Sequence, residues 1–294
     1  MIKFSIVICT YNRVSYLRET IDSLLAVLKS HNNYELIIID NNSTDETSTI
    51  IKLYNGVPEI RYFLEQNQGL SYARNRGIVE AKGELLIFLD DDIEIEENYF
   101  TIIERLFVNS KINIVGGKVL PYKINVPDWL PLKYYYLASI FDPGDKERSV
   151  KKIMGANYAM RKTIAQKIGW YDTNLGRKGS SLMGGEEVDY LNRAQIMGIE
   201  VLYSPLLIVF HKINDKLTKG YILSYSYQLG ISEILIDRKK SIIKTILKIC
   251  RSIMDFTFYT TVGVLIPNQN VKMLFCIRSY YAKGYLKGMI NLLK

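Results

Sequence analysis

The sequence predicts an α/β protein built on a doubly wound, mostly parallel central sheet, with helices on both faces. Three observations lead there. Wholly apolar runs recur at residues 3–10 (KFSIVICT), Tyr34–Asp40 (YELIIID), Ile60–Leu64 and Leu85–Leu89, as in strands buried on both faces. Segments of helical period separate these runs, and strand–helix alternation with right-handed crossovers makes a parallel sheet. The runs end on polar or acidic residues, and open α/β sheets bind ligands at the carboxyl ends of their strands.

In order, the first strand ends in Thr10, Tyr11, Asn12 and Arg13. A helix over 14–29 follows, with Leu17, Ile21, Leu24 and Leu28 on one face. The second strand ends at Asp40, before the turn cluster Asn41-Asn42-Ser43-Thr44-Asp45, which can cap the next helix. A helix over 69–81 carries Arg74 and Arg76. The fourth strand leads into Asp90, Asp91 and Asp92. Three neighbouring carboxylates repel and raise one another's pKa unless a cation neutralises them, so a divalent metal holding an anionic ligand is expected. The plainer reading makes Asp92 the cap of a helix over 96–108, which accounts for one aspartate of the three.

Beyond Asp92 the pattern is less regular. Residues 112–120 read as a strand with a glycine break. Pro127-Asp128-Trp129-Leu130-Pro131 and Tyr134-Tyr135-Tyr136 form an aromatic segment, either a lid, an acceptor platform or ordinary packing. Gly155-Ala156-Asn157 marks a tight backbone passage in a strand. Gly184 and Gly185 precede Glu186 and Glu187, acids that open a helix to about Met197. A strand over 201–210, interrupted by Ser204-Pro205, leads to His211. That histidine is either structural or completes a metal shell. At the strand ends, Asp40 offers an acceptor to a base N–H and Tyr11 a face for stacking. Arg74 or Arg76 offers a charge to phosphates, or each simply lies on a solvated helix face.

With 294 residues and 48% hydrophobic content, the chain buries a sizeable core and is not disordered. Its start enters a strand pattern at once, with no signal-peptide pattern. Cys9, Cys250 and Cys276 are too few and scattered for a disulfide framework or zinc site, and suit a reducing compartment. The dinucleotide fingerprint and the phosphate-binding GxxxxGK[ST] loop are both absent, against an ordinary dehydrogenase or P-loop NTPase. Net charge is +8, unevenly spread. Residues 1–214 carry 25 Lys+Arg and 26 Asp+Glu, whereas 215–294 carry 13 and 4. The first segment is expected to be the catalytic domain and the second a basic, helical C-terminal appendage.

Taken together, SIVICTYNR, LIIIDNNSTDET, NQGLSYARNRG, LLIFLDDD, GAN, GGEEVDYLNRA and the late histidine resemble the family-2 glycosyltransferases with the GT-A fold, over roughly residues 3–212. The resemblance implies inverting transfer from a nucleoside-diphosphate sugar, of uracil type, to an acceptor hydroxyl, with Mn²⁺ or Mg²⁺ as cofactor. It assigns Thr10, Tyr11 and Asp40 to the base and Arg74 to the diphosphate. Asp90 goes to the ribose side, Asp92 to the metal, and His211 to the metal or diphosphate. The matched motifs add Arg13, Asn42, Asn67, Gly69 and Asp91 to the donor side, and Gly155, Ala156, Asn157, Gly185 and Trp129 to the sugar and acceptor side. The family's Glu-Asp pair is here Glu186-Glu187, so the second acid, the usual base, is one methylene longer. Both acids stay candidates. Rival readings are a sugar nucleotidyltransferase, which should carry a glycine- and arginine-rich loop after the first strand, and a non-catalytic nucleotide-sugar-binding protein.

The implied partners are a nucleotide sugar and a glycan or lipid-linked acceptor in bacterial surface polysaccharide or glycolipid assembly. The basic tail adds an anionic membrane surface. A helix over 238–254 places Lys240, Lys244, Lys248 and Arg251 on one arc, opposite Ile242, Ile243, Ile246, Ile249, Cys250 and Ile253. No nucleic-acid module is recognisable. A cytoplasmic protein at the inner face of the membrane is expected, and Gly284 and Gly288 suit close packing of a last helix.

Overall fold

The computed structural model describes residues 3–292, which fall into two compact units. The first comprises the chain up to Lys123 together with Ile140–Thr173 and Glu186–Lys212. The second comprises Ile124–Ser139, Asn174–Gly185 and the chain from Ile213 onward.

The first unit is a mixed sheet clothed in helices. In chain order its strands are β1 (Phe4–Thr10), β2 (Tyr34–Asp40), β3 (Ile60–Leu64), β4 (Leu85–Leu89), β5 (Ile93–Ile95), β6 (Ile114–Pro121), β7 (Arg148–Ser149), β8 (Asn157–Arg161) and β9 (Val201–His211). Its helices are α1 (Val14–Leu28), α2 (Thr47–Ile51), α3 (Leu70–Glu80), α4 (Tyr99–Val108), α5 (Lys162–Ile168) and α6 (Glu186–Ile196). The strand order is β3-β2-β1-β4-β8-β6-β9-β5, with β7 paired to β9. The predicted strands β1 to β4 pair in parallel. Beyond β4 the sheet is mixed, because β8 runs antiparallel to both β4 and β6, while β6 and β9 are parallel.

Period-two side-chain direction explains the continuous apolar runs. Ile6, Ile8, Leu36 and Ile38 belong to the core shared with α1 and α4, and Val7, Ile37 and Ile39 to the core shared with α3 and α6. Leu17, Ile21, Leu24 and Leu28 of α1 are all fully buried, each contributing about 2 kcal/mol of hydrophobic stabilisation.

Three local differences from the sequence reading matter for the site. Asp92 does not cap the following helix, which begins at Tyr99 behind Asn98. Instead the chain forms β5, which pairs with β9 at Ile93↔His211, and Lys212 N donates to the Asp92 carbonyl at 2.9 Å. β9 runs unbroken through Pro205 because its register with β6 shifts between Gly116 and Lys118. A residue without an N–H is tolerated at such an irregularity. Gly117 sits there because a Cβ would lie 2.0 Å from the Leu207 carbonyl oxygen.

The second unit holds a 3₁₀ turn (Leu132–Ala138) and three long helices, α7 (Lys219–Lys240), α8 (Ile242–Leu265) and α9 (Gln269–Leu292). α7 and α9 meet backbone to backbone. A Cβ on Gly284 would lie 1.9 Å from the Tyr227 carbonyl oxygen, and one on Gly288 would lie 2.6 Å from Ile234 Cγ2. The continuous helix expected over 238–254 is instead two helices. Ser241 is extended (φ −166°), and its hydroxyl accepts from Lys244 N at 3.3 Å as the cap of α8. The expected basic arc is broken with it. Lys240 ends α7, and Lys248 is paired with Glu233 (2.9 Å) and Asp237 (2.7 Å). No helix among the described residues is long and apolar enough to cross a membrane.

Candidate active site

The acidic cluster is assembled by the β4–β5 turn and the end of β9. The β5–β9 pairing sets His211 beside the aspartates, with Nε2 at 2.7 Å from Asp92 Oδ1 and 3.7 Å from Asp90 Oδ2. Asp92 and His211 are buried, whereas the Asp90 side chain is about a third exposed. Their ligand atoms lie within 4.8 Å of one another. An imidazole nitrogen and two carboxylates suit a hard or borderline divalent ion such as Mn²⁺ or Mg²⁺, and the exposed Asp90 side leaves room for an anionic ligand. The residues therefore fit the metal that the sequence led us to expect.

Arg13 carries the charge balance. Its guanidinium bonds Asp92 Oδ2 and lies 3.2 Å from Asp91 Oδ1. Thr10 Oγ1 donates to Asp91 Oδ2 at 2.6 Å. Burial pushes the Asp91 carboxyl up to about 7, against the Arg13 charge. Asp91 and Thr10 thus join β1 to the β4 end.

Asp40 is buried at the end of β2. Its Oδ1 accepts from Ser43 N at 2.9 Å and its Oδ2 from the Tyr62 hydroxyl at 2.7 Å. It closes a turn, and Asp45 Oδ1 accepts from Thr47 N, the first residue of α2, at 3.1 Å. Each oxygen keeps a lone pair for another donor. Tyr11 is half-buried and Asn42 adopts a left-handed φ of 64° beside it in the loop layer. Asn67 donates to Glu65, and Gly69 N donates to Asn41 Oδ1 at 2.6 Å.

Two asparagines that the sequence reading passed over set these loops. Asn12 Oδ1 accepts from Thr44 N at 2.7 Å, and Asn12 N donates to Ser43 Oγ at 2.9 Å. Asn41 Nδ2 donates to the Asn67 carbonyl at 2.7 Å. Their signal was the asparagine-rich character of both turns, residues able to bond nearby backbone.

A second cluster forms around Arg74, which is buried on α3. Its Nη1 lies 2.7 Å from Glu186 Oε1 and its Nη2 3.2 Å from Glu187 Oε1. Arg74 is therefore committed to the two candidate bases. Arg76, by contrast, pairs with Glu80 at 2.9 Å on a solvated face. Glu186 is fully buried, while about a quarter of the Glu187 side chain is exposed. Burial and the Glu187 charge push Glu186 up to about 8. Burial also opposes ionisation of Glu187, but Arg74 and a hydrogen bond from Glu186 outweigh it and hold that carboxyl below the usual range. The arrangement is one neutral acid and one ionised carboxylate, with the ionised one facing solvent.

Gly155 closes over this pair, since a Cβ there would meet Glu187 Oε1 at 1.9 Å. Ala156 is buried in the core. Asn157 is engaged throughout. Its Oδ1 accepts from the Tyr99 hydroxyl at 2.6 Å, and its Nδ2 donates to the carbonyls of Lys118 and Leu207. Gly185 and Trp129 belong to the second unit, where a Cβ on Gly185 would approach Ile236 and Ser232.

Comparison with known proteins bears on the family and the fold. The family model described as Glycosyl transferase family 2 matches residues 5–169. A glucosyl-dolichyl phosphate glucuronosyltransferase of Haloferax volcanii is 27% identical over 244 residues, 80% of this chain and 77% of that protein. Among solved structures, a mannosyltransferase of Pyrobaculum calidifontis in complex with GDP-Man and Mn²⁺ superposes with a TM-score of 0.61. It is 13% identical and covers 99% of this chain and 74% of its own. GalNAc-T7 with UDP, GalNAc and Mn²⁺ gives a TM-score of 0.57 at 19% identity, covering 79% of this chain and 48% of its own. These likenesses carry the GT-A fold expected from the sequence.

Proposed function

The chain belongs to glycosyl transferase family 2, and from that premise we propose that it moves a sugar from a nucleoside-diphosphate sugar, UDP-linked, to an acceptor hydroxyl with inversion. The observation that carries this reading is the presence of two sites in the first unit: the Asp90–Asp92–His211 donor set and the Glu187 carboxylate held by Arg74.

Asp92 and His211 would hold Mn²⁺ or Mg²⁺, with Asp90 toward the ribose. When bound, the ion supplies Lewis-acid stabilisation of the leaving diphosphate. Asp40 and Tyr11 receive the base, and Asn42, Asn67 and Gly69 shape the loops around it. Glu187, held ionised by Arg74 and reaching solvent with about a quarter of its side chain, takes the acceptor proton as the hydroxyl attacks. Attack by a hydroxyl that is deprotonated in place, with no protein nucleophile, inverts the anomeric centre. Gly155, against the Glu187 carboxylate, would lie on the sugar side. The acceptor is a glycan or a lipid-linked sugar, as the name of the Haloferax relative describes for that protein. We place the reaction in surface polysaccharide or glycolipid assembly at the cytoplasmic face of the membrane.

The deciding experiment is a panel of nucleotide sugars scored for release of nucleoside diphosphate, with Mn²⁺ or Mg²⁺ and in EDTA. Metal-dependent release from one donor supports the reading. Release of pyrophosphate from a nucleoside triphosphate and a sugar phosphate would identify a nucleotidyltransferase. Binding without turnover on any donor or acceptor would identify a nucleotide-sugar-binding protein.

A further inference from the structure

α8 is built the wrong way round for a helix in water. Its inward line is small or polar, with Thr245, Ser252 and Gly263 buried, and Gly263 facing Phe275 of α9 at 3.2 Å for an added Cβ. Its outward arc is large and apolar. Ile243, Leu247, Met254 and Leu265 are each 65% exposed or more. A helix that meets only its own fold turns such residues inward, and a continuous apolar surface of this kind marks an interaction site.

We propose that this face of α8 is a docking surface for an anionic phospholipid bilayer, with the helix lying in the plane of the interface. The proposal deepens the membrane-side placement above and does not depend on the transfer chemistry. Charge complementarity selects the occupant. Lys244 is exposed on the helix that carries the apolar arc, as is Arg251, whose 3.7 Å pairing with Asp255 lies at the surface, and Lys240 is exposed at the junction before it. Residues 215–294 hold 13 Lys+Arg against 4 Asp+Glu. A second copy of the chain would bring like charges together, whereas an anionic headgroup layer neutralises them. Lys248 is not part of this surface, since it is paired with Glu233 and Asp237. Spanning is excluded by hydropathy, and an amphipathic helix with a basic border suits the headgroup boundary. At about 1.5 Å per residue, 24 residues give an apolar stripe about 36 Å long.

The test uses the full chain and vesicles of phosphatidylcholine alone or mixed with phosphatidylglycerol. The parent should co-sediment with the mixed vesicles and release as salt rises above about 0.15 M. Cys250, exposed on α8, should lose reactivity to a soluble thiol reagent when those vesicles are added, a readout that needs no variant. Leu247→Gln with Met254→Gln should weaken vesicle binding by about tenfold or more, with helix content and donor hydrolysis retained. Lys244→Gln with Arg251→Gln should weaken binding to mixed vesicles several-fold. The proposal is overturned if the parent ignores anionic vesicles at low salt, or if Cys250 stays equally reactive. It is also overturned if the parent forms a dimer that the apolar variant dissolves.

Discussion

Arg74 Nη1 lies 2.7 Å from Glu186 Oε1, across 112 residues of sequence, and both side chains are buried. The other Glu186 oxygen meets no donor. Its neighbour is the Glu187 carboxyl, an acceptor that shares the same guanidinium. One proton held by Glu186 and donated to Glu187 satisfies both groups and leaves a single negative charge opposite Arg74. An unmatched pair of buried carboxylates would be far more costly. The opposite shifts also distinguish the two acids, and the one that favours keeping its proton is the weaker candidate for the base.

That assignment makes a direct prediction. Glu187→Gln should keep donor affinity and lower the transfer rate by roughly a hundredfold or more, the usual scale for loss of a general base. Glu186→Gln should retain most of the rate, because the amide still donates to Glu187. Single-turnover rates with saturating donor measure this. A dead Glu186→Gln beside an active Glu187→Gln would reverse the assignment.

The same pair links stability to pH. The folded-state pKa of Glu186 is about 8 against an ordinary 4.5. Between those values the native state binds the extra proton, so this group's contribution falls as pH rises through the window. It is fully present below about pH 4.5 and lost above about pH 8. Glu186→Gln removes the titration. Denaturant midpoints at pH 6 and pH 8 should therefore differ less in the variant than in the parent. An unchanged difference would mean that Glu186 is already ionised at pH 6.

How far the sequence disclosed this site depends on the range of the interaction. β1 to β4 were legible because each is a continuous apolar run with a clear end. The Asp90–Asp92 cluster was legible because three adjacent acids directly follow a buried apolar strand. β5 was not, since Ile93–Ile95 has three residues and its strand character comes from pairing with β9. The break at Ser241 was hidden because a single serine, with neither glycine nor proline beside it, interrupts a helical period that resumes at once. The family resemblance assigns Arg74 to the diphosphate, and the sequence shows no sign of its acidic partners. Its glutamate partners come from a helix that only the tertiary fold brings near.

The metal reading rests on Asp92, which meets His211 on one oxygen and Arg13 on the other. Asp92→Asn keeps the shape and removes the ligand charge. Donor affinity measured by calorimetry should fall about tenfold or more in Mn²⁺ and change little in EDTA, as loss of a charged ligand implies. Equal losses in both conditions would make Asp92 a partner of Arg13 alone. His211→Asn should follow the same pattern, since the imidazole also faces Asp90.

Gly155 offers the sharpest steric test, because it touches the base without supplying any chemistry. A Cβ at this position would lie 1.9 Å from Glu187 Oε1 and 2.5 Å from Arg74 Nη2. Both atoms belong to one part-buried ion pair, which rotation of either would break. Gly155→Ala must therefore displace the Glu187 carboxylate by about an ångström, and a misplacement of that size costs about a hundredfold in rate. The three nearest atoms to the added carbon all belong to Glu187 and Arg74, not to the candidate metal ligands Asp90, Asp92 and His211. We therefore expect kcat to fall by about two orders of magnitude, with the KM for the donor within about threefold of the parent. A matching rise in donor KM would place Gly155 against the nucleotide sugar instead. An unaltered kcat would show that the carboxylate has room to move, and that the close approach of Gly155 does not fix the base.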